Sequence, residues 1–81
     1  MKYRKKPVEV EAFRLPLSKY HPTEWPKWFF EVAREHPEGF IIPTLEGDHL
    51  ARWGDWIIRG VVGEVYPCKA DVFALTYEPA E

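Results

Sequence analysis

Polar and apolar residues alternate with period two from Pro7 to Arg14, with Val8, Val10 and Ala12 on one side and Glu9 and Glu11 on the other. That pattern predicts a half-buried β-strand whose inner face is Val8, Val10 and Ala12. Pro7 at its head suits a first or edge position, where a missing N–H costs little. Two prolines break the segment from Leu15 to Pro22 into a loop. The period then becomes helical. Thr23 is placed as N-cap, Pro26 is tolerated in the first turn, and Trp25, Trp28, Phe29, Val32 and Ala33 form one apolar stripe. Lys27, Glu31, Arg34 and Glu35 occupy the opposite side, and His36-Pro37-Glu38-Gly39 supplies stop signals. The stripe reads as core, with a stacking surface for a ligand base as the alternative.

The second half reads as short strands punctuated by glycine. Strands are predicted over 40–45, 49–53, 56–59 and 64–66, with turns at 46–48, 54–55 and 60–63. Residues 68–73 read as a short helical turn carrying Val72 and Phe73 inward, and 75–78 as a last strand. Gly54–Lys69 is the densest stretch, with Trp56 as its aromatic anchor and a Gly60-Val-Val-Gly63 hairpin turn. The expected fold is α+β, one domain over residues 1–81: a small, strongly curved antiparallel sheet or partial barrel covered by one amphipathic helix.

Composition sharpens this picture at three points. A chain of 81 residues buries only about 60% of its unfolded surface, so its core needs large side chains. Four Trp, four Tyr and five Phe supply them. A net charge of −2 argues against general nucleic-acid binding, which needs a basic footprint. Lys2, Arg4, Lys5 and Lys6 nevertheless cluster in the first six residues, either guarding a strand edge against pairing or forming a ligand-facing patch. Charge and Pro7 follow Met1 in place of an apolar run, no stretch approaches the ~18 apolar residues of a membrane span, and one cysteine fits a reducing compartment. A cytoplasmic protein is expected.

Few residues suggest chemistry. His21, His36 and His49 stand too far apart in sequence for a local zinc motif and read as exposed, His21 and His36 in loops and His49 on a strand. Cys68 beside Lys69 could have its thiol pKa lowered by the ammonium, yet nothing local supplies a base, so an inert packed thiol is expected. Asp48, Asp55 and Asp71 read as turn or cap residues, Asp55 capping the bend before Trp56 and Asp71 capping or pairing with Lys69 or Arg59. Gly60 and Gly63 precede no helix and so make no phosphate cradle. No catalytic residue, metal ligand or cofactor is assigned. Guanidinium and ammonium groups interleaved with aromatic rings remain as the ligand-binding candidates: Arg4, Lys6, Arg52, Trp53, Arg59, Tyr66 and Lys69.

Two segments carry a resemblance. Met1-Lys-Tyr-Arg-Lys-Lys-Pro-Val-Glu-Val-Glu-Ala12 opens the chain. Gly54-Asp-Trp-Ile-Ile-Arg-Gly-Val-Val-Gly-Glu-Val-Tyr-Pro-Cys-Lys-Ala-Asp-Val-Phe73 and Thr76-Tyr-Glu-Pro79 close it. Together with Thr44-Leu-Glu-Gly47 they resemble a family of small proteins encoded by tailed bacteriophages and prophages, over roughly half the chain. Relatives carry Ser-Pro or similar where this chain has Arg52-Trp53, which leaves any role of Trp53 private to this protein. The Trp-rich middle is the variable part. The resemblance implies a phage setting and transfers no catalytic residue.

Three functions follow as expectations. The first is a phage accessory protein acting in the host cytoplasm as a non-enzymatic binding module, inhibiting a host protein or sequestering a small nucleotide-like ligand, with anti-defence as its use and a homo-oligomer as one expected state. The second is a structural or assembly part of the virion. The third is a small hydrolase built on Cys68 or on paired Asp and His residues at a subunit interface.

Overall fold

The computed structural model describes residues 1–3, 8–17 and 25–79. Strands β1 (Glu11–Arg14), β2 (Arg34–His36), β3 (Gly39–Thr44), β4 (Gly47–Arg52), β5 (Trp56–Arg59) and β6 (Val65–Cys68) are joined by helices α1 (Lys27–Phe30, before β2) and α2 (Ala70–Thr76, after β6). All strand pairs are antiparallel, in two separate three-stranded sheets of order β1-β5-β6 and β2-β3-β4. The α+β class holds. The strongly curved single sheet or partial barrel does not: neither sheet closes, and β6 lies against β3 and β4 by packing.

One core serves both sheets. Leu15, Phe29, Phe40, Ile42, Ala51, Ile57 and Val65 are buried together, and Phe13, Trp25, Trp28, Val32, Ala33 and Trp53 pack around them. The apolar stripe is therefore core, as its spacing implies. Its helix is only one turn long. Glu31 caps α1 with its N–H on Phe29 O, and Arg34–His36 become a strand paired with β3, His36 opposite Gly39. Pro37 disfavours α-helical backbone at His36, and pairing with β3 overrides helical propensity across residues 34–36. The Thr23 cap falls outside the described residues, as does Pro7.

Strand β1 keeps the expected alternation but turns its other face to the core. Ala12, Phe13 and Arg14 face Ile58, Ile57 and Trp56 in register. Because side chains alternate across a sheet, Phe13 and Ile57 point into the core. The Val8, Val10 and Ala12 side instead borders an open groove. Large side chains decided the orientation: Phe13 and the buried Leu15 outweigh two valines and an alanine.

The hairpin turns are close to their expected places, and their glycines matter at two. Gly39 has φ +149°, and a Cβ there would overlap the carbonyl oxygen of Ala51 on the paired strand. Gly63 has φ +87° and closes the β5–β6 turn, its N–H on Gly60 O while Gly60 N–H bonds Glu64 O. The last expected strand, 75–78, is absent. Residues 70–76 form α2 instead, because Phe73 and Tyr77 at i, i+4 both face the sheet.

Candidate functional site

The first sheet has a second face. Arg14, Trp56 and Cys68 are aligned across it, next to Ala12, Ile58 and Tyr66. Among the described residues only α2 covers this face, and α2 buries none of its own residues. The helix is held by rings. Phe73 stacks on Trp56 with centroids 3.9 Å apart and planes 4° from parallel, and Tyr77 stacks on Phe73 at 5.0 Å. Tyr77 and Tyr66 share a hydroxyl–hydroxyl bond of 3.2 Å. Burial, then the bond and charge of Tyr77, pushes the Tyr66 phenol pKa upward.

Between this stack and β1 runs a groove of about 940 Å³, with Ala12, Trp56, Phe73 and Tyr77 along it and Val8 and Val10 at one flank. Three charged groups border it: Arg14, Glu9 and Glu78. Arg14 is fixed through its Nε, which donates to Gly54 O at 2.9 Å. Its Nη groups have no hydrogen-bond partner among the described residues, leaving a planar two-pronged donor at the groove. The arrangement offers an aromatic surface, a directed cation and two carboxylate acceptors.

The residues singled out from sequence do not converge. Arg52 is exposed and pairs with Glu38 at 3.6 Å. Trp53 packs edge-on against Phe40 at 5.7 Å and belongs with the core. Arg59 pairs with Glu11 at 3.4 Å, not with Asp71, and borders a shallow concavity with Phe13, Trp25 and Trp28. Tyr66 borders a further groove beside the β3–β4 turn. Lys69 is exposed just before α2. Arg4 and Lys6 lie outside the described residues. Arg14, Phe73 and Tyr77, which the groove unites with Trp56, were not among the candidates. The i, i+4 spacing of Phe73 and Tyr77 was the available signal, hidden by reading residues 75–78 as a strand.

The remaining polar residues are engaged locally. Asp55 caps the bend as expected, its carboxylate accepting the Arg52 N–H at 3.0 Å. Asp71 accepts the Val72 N–H, and Asp48 pairs with Arg34 at 2.7 Å. His36 is no loop residue: it ends β2, half-buried, and its Nδ1 accepts the Glu38 N–H. His49 is exposed on β4 as expected, and His21 lies outside the described residues. The Cys68 thiol is pushed up, first by burial and then by the carboxylates of Asp55 and Asp71, so Lys69 does not activate it. Among the described residues no group of three His, Cys, Asp or Glu side chains could hold a metal ion, and no helix is long and apolar enough to cross a membrane. Comparison with protein-family models, with curated proteins and with solved structures finds no match for the chain.

Proposed function

We propose that this protein is a non-enzymatic binding module that takes a small, planar, anionic ligand of nucleotide type into the groove under α2. The observation that carries the reading is the placement of Arg14 beside the Trp56–Phe73–Tyr77 stack. Aromatic faces accept a base irrespective of its identity. The Arg14 fork suits a phosphate or carboxylate, while Glu9 and Glu78 can accept hydrogen bonds from sugar hydroxyls or an exocyclic amine. Coupled with the phage resemblance, the module would act in the host cytoplasm by sequestering such a ligand, an anti-defence role. Inhibition of a host protein through the same groove and a virion assembly role are the competing readings.

Titration of the purified protein with nucleoside monophosphates, diphosphates and cyclic dinucleotides tests it, read by Trp fluorescence and thermal shift. One class should quench emission saturably and raise Tm. Arg14→Ala should weaken that binding about tenfold, the loss of one charge-assisted hydrogen bond, while Lys69→Ala should not. Absence of a saturable response to every member would overturn the reading.

A further inference from the structure

A different surface carries an inference independent of the groove under α2. Turns ordinarily present polar residues to water, but two neighbouring hairpin tips here present apolar ones. Leu45, in the β3–β4 turn, is 104% exposed, and Val62, in the β5–β6 turn, is 86% exposed with Val61 beside it. Leu45 from one turn and Gly63 from the other border one groove of about 620 Å³, continued by the apolar side chains of Val32, Pro43 and Pro67. Glu46 and Glu64 stand at its rim, and none of the residues bordering it is lysine or arginine. Apolar floor and acidic rim together call for a segment that is apolar and basic.

The chain contains such a segment. Met1 and Tyr3 are 108% and 86% exposed, so they do not fold back onto their own domain. Lys2 lies between them, and Arg4, Lys5 and Lys6 follow, giving four basic groups within six residues. We propose that this N-terminal segment of one copy docks into the acidic-rimmed groove between the hairpin tips of a second copy. Exchange in both directions closes a two-fold dimer, in which each copy contributes one segment and one groove. Met1 and Tyr3 cover Leu45 and the apolar floor beside it, while the basic groups face Glu46 and Glu64. Opposite rim charges of this kind set association rate and partner choice, and salt weakens them.

Charge reversal tests the pairing from both sides. In sedimentation velocity the wild-type protein should pass from monomer to dimer with concentration, less readily at high salt. The double variant Glu46→Lys/Glu64→Lys should dimerise about tenfold more weakly or worse, as should Lys2→Glu/Arg4→Glu. Glu46, Glu64 and Lys2 are exposed, and circular dichroism checks that each variant folds. Leu45→Ser, which alters no charge, should weaken dimerisation as well. Mixing the two charge-reversed proteins should restore a heterodimer, because the unaltered basic segment of one then meets the unaltered acidic groove of the other, while the reversed segment, balanced by Lys5 and Lys6, no longer repels the basic groove. A wild-type monomer at every attainable concentration, mass growing beyond a dimer, either reversed variant dimerising like wild type, or a mixture that stays monomeric would each overturn the proposal.

Discussion

Trp56 and Phe73 stack face to face, 3.9 Å between centroids and 4° from parallel, and this contact is the chief attachment of α2 to the sheet. No residue of the helix is fully buried, Phe73 included, and Leu75 is 90% exposed. The stack therefore holds a lightly anchored element against a face that lies outside the main core.

Removing one ring should release the helix without unfolding the domain. Phe73→Ala loses both its aromatic contacts, at a cost of about 1–2 kcal/mol. Amide hydrogen exchange should quicken across residues 70–76 while β3 and β5 stay protected, and Trp emission should shift red. Trp56→Ala should behave similarly, below the ~3–5 kcal/mol of a core aromatic, because Trp56 is half-buried and belongs to no core cluster. Global loss of protection in Phe73→Ala would show that α2 is integral to the core.

Phe29 is the opposite case. It is fully buried and meets Phe13, Trp25, Phe30 and Phe40 edge-on at 4.9–5.6 Å. Phe29→Ala should cost about 3–5 kcal/mol, a large share of the stability of so small a domain. Chemical denaturation should find it largely unfolded, or far more easily unfolded, in water. A midpoint near wild type would mean the surrounding rings collapse into the cavity.

These two aromatics also mark how far the sequence could be read. Phe29 was legible because its stripe has helical spacing, and burial follows the stripe even though only one turn is helical. Short strands between glycines were legible for a similar reason: Gly39, Gly47, Gly54 and Gly63 all take positive φ at turns or strand ends. Arg34–His36 was not legible, because strand pairing with Ile41, Phe40 and Gly39 is a long-range choice that local propensity cannot express. Nor was the groove. Arg14 and Phe73 are far apart in sequence and meet only because β1 turns Phe13 inward. The Arg and Trp residues chosen by type, Arg52, Trp53 and Arg59, settled into ion pairs and core packing instead.

The β3–β4 ladder offers a backbone test. At Gly39 a Cβ would collide with backbone, the Ala51 carbonyl, at a φ that L-residues rarely adopt. At Gly47 the φ is also positive, +111°, but the space is open. Gly47→Ala should cost about 1–2 kcal/mol for conformation alone. Gly39→Ala should cost clearly more, since the strands must part or slip. Equal melting temperatures for the two variants would contradict the register that places Gly39 opposite Arg52.

The Tyr66 phenol makes stability depend on alkaline pH. The native state holds the Tyr66 proton more tightly than the unfolded chain does, mainly through burial and the Tyr77 bond. Above the ordinary tyrosine pKa of about 10 the unfolded state gives up that proton first. It then binds fewer protons than the native state, so unfolding free energy falls as pH rises. The contribution of Tyr66 is complete below about pH 10 and is lost above it. Tyr66→Phe keeps the ring and removes the titration, so its stability should decline less steeply over the same range. Urea midpoints at stepped alkaline pH compare the two proteins directly. Parallel declines would mean that the Tyr66 phenol titrates alike folded and unfolded.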